Sequence, residues 1–403
     1  MKVITFYSYK GGVGRTLACA NFGLYLAKTG QKVFLVDMDF EAPGLDSKFP
    51  NIDITKSETG IIDQFHAFLQ SSPIPKLKAQ RVPLPDDVEK AGGSLGLIPA
   101  GNYLESDYFE KLSNINWDCF LYDETGMAFC LDLLQRIEAE FEPDVLVIDS
   151  PNGLSKISGL CTQIYPDTVL LFTSASPESL NGTDRIYKKI KNSPLVKTRM
   201  NGLNSINMQI VVSRIPRPDD LAALDQAMKK RLGLDIDRLF YLFNQPDLSY
   251  EDYLAVNRVE DRPNILEDYV ELFSSLASEI IGIEKRLELF RRDITRRSLD
   301  DNRWIIKELL TLYPQPDVFL EAARFYRLIK DGDKEALRMY LRYLDINPKE
   351  PTIFREFIQL CETMPTKKLQ PKEKIVQHLT NHGLSKLPPK LVEKYHAMSN
   401  TPK

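Results

Sequence analysis

Residues 10–17, KGGVGRTL, gather three glycines, two cations and a hydroxyl into one short stretch. Backbone N–H groups turn inward around an anion only where no Cβ obstructs the tight positions, and Gly11, Gly12 and Gly14 meet that need. The helical pattern that follows starts near Arg15, so its unpaired amides and positive dipole end face the same point. Thr16 adds a hydroxyl of the kind such loops offer to Mg²⁺. A turn built only to reverse the chain needs neither Thr16 nor a second cation at Lys10. The chemistry indicated is the cradling of a phosphate group, with arginine at position 15 where a lysine is expected.

Such a loop works only at the end of a strand and the start of a helix, and the chain supplies both. Candidate strands are KVITFYS, KVFLVDM, LGLIPAG, DVLVIDS, TVLLFTS and MQIVVSR, with helical patterns between most of them. Near-continuous apolar runs separated by helices predict mostly parallel strands covered on both faces, a doubly wound α/β layer. Ligands of such layers sit at the carboxyl ends of the strands. Asp37 and Asp39 end one apolar run two residues apart, on the same side of it, and Asp149 ends another. A strand-end aspartate that caps the next helix is the alternative for each. Residues 71–93, with Pro73, Pro75, Pro83 and Pro85, read as a surface insertion.

From about residue 283 strand-like runs stop, and the expected division is an α/β domain over 1–282 and a smaller all-α domain over 283–403. In IEKRLELFRRDITRRSLDDNRWIIKELL, Ile283, Leu287, Phe290 and Ile294 share one helical side. Lys285, Arg292 and Arg296 share the opposite side, as a solvated face or a basic contact. Farther on, Leu310, Pro314, Phe319 and Leu320 match Leu344, Pro348, Ile353 and Phe354 at an offset of 34, the period of tetratricopeptide (TPR) helix pairs. Ala336, Tyr340, Tyr343 and Pro348 resemble the second helix of such a unit, whereas Phe319, Ala322, Ala323 and Tyr326 fit its first helix only after a one-residue shift. An ordinary helical bundle is the alternative.

Bulk properties narrow the function classes. A net charge of −4 over 403 residues gives no global attraction to nucleic acid. The five cysteines are scattered without a C-x-x-C pair or metal spacing, which fits a reducing, cytoplasmic setting. No apolar run reaches the roughly 18 to 20 residues of a spanning helix. The terminal LVEKYHAMSNTPK is too short and polar for stable membrane anchoring.

KGGVGRT, with its leading lysine, resembles the deviant Walker A loop of the MinD/ParA family of P-loop ATPases (SIMIBI class), most closely the branch with KGGVGR. Further stretches resemble that family in its own order: VFLVDMDFEAPGLD, LGLIPAGN, DVLVIDSPNGLS, TSASPESLNGTDRI, QIVVSRIP and FNQPDLSYEDYL. The resemblance covers residues 1–282 and implies ATP and Mg²⁺ as ligands. It places Lys10, Gly11, Gly12, Val13, Gly14, Arg15, Thr16 and Leu17 at the phosphates, and Ser213, Arg214, Pro246 and Asp247 toward the base. It implies Thr16, Asp37, Asp39 and Asp149 as the metal shell, with Asp39 also positioning water and Lys10 reaching the phosphates of a partner copy. Two departures stand out: Arg15, and DSPNG where relatives of the branch often carry an arginine and a threonine.

The implied function is an ATP-binding, Mg²⁺-dependent dimerisation switch with slow hydrolysis that regulates a protein partner through the helical region. Relatives of the KGGVGR branch resemble parts of bacterial multi-gene systems, including ones of defence against phage. A ParA-like DNA-binding ATPase is the first rival, drawing on Arg291, Arg292, Arg296 and Arg297. The second rival is a scaffold that holds nucleotide without turnover.

Overall fold

The computed structural model describes the chain except residues 58, 91, 198–204, 235, 237, 247–253, 255, 257–262, 278–279, 294–302, 304–305, 308, 311–312, 349, 384–386 and 400–403. It divides into two compact units, Met1–Phe273 and Ser274–Lys403.

The first unit is built on one eight-stranded sheet of order β3-β4-β2-β5-β1-β6-β7-β8. The strands are β1 Lys2–Ser8, β2 Lys32–Asp37, β3 Gln80–Val82, β4 Ser94–Ile98, β5 Val145–Asp149, β6 Thr168–Thr173, β7 Asn207–Ile215 and β8 Leu239–Phe243. Every neighbouring pair is parallel except β3 with β4. The fold is thus the doubly wound, mostly parallel α/β layer expected from the apolar runs. The insertion departs from expectation: β3 joins the sheet edge antiparallel to β4, and Leu77, Val82 and Val88 are buried. Its prolines punctuate the segment and leave Ile74 exposed, while these three apolar residues are covered.

Register positions the chemistry. Phe6 and Asp37 both stand opposite Asp149, so β2 and β5 end level with one another and β1 runs two residues beyond them to Ser8, where the loop begins. Helix α1, Arg15–Lys28, then crosses behind the sheet centre with all of residues 17–27 buried. Phe22 on α1 meets Phe6 of β1 at 5.6 Å and Phe273 at 5.1 Å, and Phe6 stacks on Phe172 of β6 at 5.7 Å. On the other face Phe65 packs edge-on against Phe120 at 4.8 Å and Phe129 at 5.5 Å. At the sheet end, the guanidinium of Arg238 lies 4.6 Å from the Phe240 ring centre and that of Arg217 lies 4.5 Å from that of Phe243. The Tyr241 hydroxyl donates to Asp225 Oδ1 at 2.9 Å.

The second unit contains the helices Ile283–Asp293, Pro316–Tyr326, Asp333–Ile346, Pro351–Thr363, Lys372–His382 and Pro389–Ser399. Leu287 and Phe290 enter its core, as the periodicity predicts, and Ile283 packs against it. Buried Val318, Phe319, Ala322 and Ala323 recur 35 residues on as Ile353, Phe354, Phe357 and Ile358, so the packing register is one longer than the loop match of 34. Glu356 ties three helices together, its Oε1 accepting from Arg324 Nη2 of Pro316–Tyr326 and its Oε2 from the Tyr340 hydroxyl of Asp333–Ile346, both at 2.8 Å. Lys394 Nζ donates to the carbonyls of Cys361, Glu362 and Met364, serving the end of Pro351–Thr363 where carbonyls lack helical partners. Among the described residues no helix is long and apolar enough to cross a membrane, and the five cysteines are free thiols.

Candidate nucleotide-binding site

The loop between β1 and α1 takes the shape that its glycines permit. Gly12 and Gly14 have φ of 74° and 77°, a region costing other residues roughly 1–2 kcal/mol. Gly14 is the N-cap of α1 and provides no capping side chain, so the first-turn amides stay open to a ligand. Nothing lies within 4 Å of where a Cβ on either glycine would point. These residues border a cavity of about 410 Å³, whose opposite wall includes Ser213, Arg214, Asn244 and Gln245. That volume suits a nucleotide-sized molecule.

Two observations test whether the residues fit a magnesium nucleotide. The hydroxyl of Ser8, buried at the end of β1 and without a hydrogen-bond partner, lines the cavity and awaits a polar ligand. The donors at the strand ends are carboxylates and a hydroxyl, the oxygen set that a hard divalent cation takes. The residues fit in kind. Among the described residues, however, no group of three or more His, Cys, Asp or Glu stands arranged to hold an ion.

The reason is visible side chain by side chain. Asp37 turns both oxygens onto its own loop, Oδ1 accepting from Asp39 N at 3.0 Å and Oδ2 from Gly44 N and Leu45 N at 3.1 Å. Burial, and then the facing Asp149, push its carboxyl up to about 8. Arg15 is 7% exposed and donates from Nε to Asp149 Oδ1 at 2.6 Å and from Nη2 to Asp39 Oδ2 at 2.9 Å. Burial works against the guanidinium charge, but Asp149 and Asp39 outweigh it and the pKa rises. Asp39 is itself pushed up, because its burial outweighs the lowering by Arg15. The sequence cannot reveal this three-way pairing, since residue types do not say which anion a cation will choose.

Of the residues expected at the site, Gly11, Gly12, Val13, Gly14, Arg15, Thr16, Leu17, Asp39, Ser213 and Arg214 line the cavity. Ser213 Oγ is engaged, donating to the Val13 carbonyl at 2.7 Å and so tying β7 to the loop. Arg214 holds φ of 55°. Asp37 and Asp149 lie buried at the strand ends and are not in the cavity wall, and neither is Pro246. Asp247 lies outside the described residues. Lys10 is also absent from the wall, with Nζ 3.4 Å from Glu178 Oε2 and its side chain 49% exposed. Sequence reasoning missed Ser8, Asn152, Asn244, Gln245 and Tyr269. Asn244 and Gln245 stand just ahead of the pair singled out in FNQPDLSYEDYL, and Asn152 lies within the departure DSPNG. Tyr269 carries no local signal at all.

Comparison with known proteins gives consistent results. The AAA_31 family model, an AAA domain, matches residues 1–203. An uncharacterised ATP-binding protein of Methanocaldococcus jannaschii is 25% identical over 309 residues, covering 73% of this chain and 93% of that relative. The septum site-determining protein MinD of Escherichia coli is 24% identical over 185 residues, 46% of this chain and 57% of the relative. Among solved structures, MinD of Pyrococcus horikoshii complexed with Mg-ADP superposes with a TM-score of 0.50 at 17% identity, covering 70% of this chain and 99% of that one.

Proposed function

The chain belongs to the AAA domain family matched over residues 1–203, as a MinD/ParA-type P-loop ATPase, and from that premise we propose that it is an ATP-binding, Mg²⁺-dependent dimerisation switch with slow hydrolysis. The observation that carries this reading is the glycine loop with positive φ at Gly12 and Gly14, opening on a cavity of about 410 Å³ beside buried strand-end carboxylates.

In this reading the loop amides and the α1 N-terminus hold the phosphates, and the Ser8 and Thr16 hydroxyls lie within the same wall. Bound Mg²⁺ supplies neutralisation of charge on the phosphate oxygens; Thr16, Asp37, Asp39 and Asp149 are the residues that would hold it. Asp39, in the cavity wall, is the group placed to orient water. Lys10 is half exposed, with its ammonium 3.4 Å from exposed Glu178 and 5.9 Å from the centre of the Tyr9 ring, which leaves it accessible to a second copy. A cation given in trans couples hydrolysis to pairing of two chains. Slow turnover follows from Arg15, whose charge is committed to two carboxylates.

The division of labour assigns nucleotide chemistry to residues 1–282 and partner binding to the helical residues 283–403, where a TPR-like helix pair suits a peptide groove. Regulation of a protein partner, in a bacterial multi-gene setting of the anti-phage type, completes the proposal; the genomic neighbours of the coding sequence test that setting. ATP with Mg²⁺ is expected to double the mass measured by light scattering. Lys10→Ala and Asp39→Ala are expected to lower phosphate release by about a hundredfold or more, the smaller end of what a single charge-stabilising group supplies. An unchanged mass and unchanged release would overturn the switch. ATP retained through purification with no turnover would favour the scaffold.

A further inference from the structure

The most tightly held charge in the site belongs to the chain itself. Arg15 Nη2 lies 2.9 Å from Asp39 Oδ2 and 3.4 Å from Thr16 Oγ1, while Nε lies 2.6 Å from Asp149 Oδ1. The guanidinium therefore sits among three of the four oxygen-bearing residues that a divalent ion would use. We propose that Arg15 is a built-in counter-cation of the metal seat, which fills that seat in the nucleotide-free chain and yields it only when phosphate offers the guanidinium another anion. This rests on the reading of the cavity as a magnesium nucleotide site and deepens it by ordering the events: metal enters with nucleotide and not before.

Three physical points support the exchange. A guanidinium does not lose its proton in a protein, so its own positive charge persists throughout the ordinary pH range. It is tethered one residue from Thr16 and so competes without being captured from solution, whereas Mg²⁺ must also shed tightly bound water. Phosphate competes well, because its oxygens accept two parallel N–H bonds from the same fork. The loop whose glycines face the cavity leads directly into Arg15, so phosphate bound there is within reach of that fork.

The test uses Mn²⁺ as the probe, followed by loss of its free-ion electron paramagnetic resonance signal in the full-length chain. Without nucleotide, R15Q is expected to bind Mn²⁺ roughly tenfold or more tightly than the unaltered chain. Adding ADP to the unaltered chain is expected to remove more free Mn²⁺ than the same ADP removes without protein, and no excess over ADP alone overturns the proposal. Equal Mn²⁺ affinity of the two nucleotide-free chains overturns the proposal, as does a folded R15Q, checked by circular dichroism, that takes up no metal. Should R15Q not fold, R15K keeps the charge and loses the fork; it is then expected to bind Mn²⁺ more tightly than the unaltered chain, and equality overturns the idea. A fluorescent ATP analogue titrated into the unaltered chain reports separately on the underlying reading: no binding with or without metal sinks the nucleotide site, whatever the Mn²⁺ comparison gives.

Discussion

Gly14 serves as both the last residue of the loop and the N-cap of α1, with φ of 77°. An alanine there has space for its methyl group but must adopt a left-handed backbone. Gly14→Ala is therefore expected to cost about 1–2 kcal/mol in thermal unfolding and to weaken nucleotide binding by far more than that destabilisation alone. Ser213→Ala removes the donor to the Val13 carbonyl, and a loss of about 1–3 kcal/mol is expected for a buried acceptor left unpaired. Denaturant titration measures both. At this scale the sequence was informative where backbone geometry demands one residue type. Gly11, Gly12 and Gly14 could be assigned from the absence of a Cβ. Arg15 could be flagged only as a substitution, because its pairing with Asp39 and Asp149 depends on strand register that a chain of letters does not display. Ser213 had a similar fate: it was placed near the base, but its hydroxyl is spent on the loop.

The elements that carry the site are held by aromatic packing on the two sheet faces. Phe65 meets Phe120, Phe129 and Trp117 within 5.5 Å between ring centres and is fully buried. Phe65→Ala is expected to destabilise the first unit by about 3–5 kcal/mol, read as a lowered midpoint in urea. Six strands were legible because runs such as VLVI, just ahead of Asp149, are continuously apolar, as strands buried on both faces must be. The two that were not are the outermost. Strand β3 is three residues long with Arg81 in its middle, below any periodicity. Strand β8 is a five-residue apolar run, too short for pattern to separate from a helix turn, and its last residue had been absorbed into the following loop. In the helical unit, the repeat was visible from Pro314 and Pro348, but the buried positions follow a spacing one residue longer, since helix starts at Pro316 and Pro351 are set by packing and not by the loops.

For the whole molecule, a net charge of −4 leaves any DNA contact to the local basic stretch. Of that stretch Lys285, Arg292, Arg296 and Arg297 lie outside the described side chains, and Arg291 donates twice to Glu321 Oε1, at 2.9 and 2.8 Å. A gel shift with duplex DNA at low salt is accordingly expected to show weak retardation that changes little when Arg291 is replaced by alanine. A strong, salt-sensitive shift abolished by replacing Arg291, Arg292, Arg296 and Arg297 would favour the partition-type rival. The outermost strand has a consequence of another kind. Strand β8, LFYLF, ends the sheet with no charge of its own, and its flanking arginines lie over Phe240 and Phe243. A strand of that composition is a template for amyloid-like stacking whenever it peels away, and cations at its borders are gatekeepers that make such stacking repulsive. Replacing Arg217 and Arg238 with serine is expected to bring on precipitation when the protein is warmed, followed as turbidity against the unaltered chain.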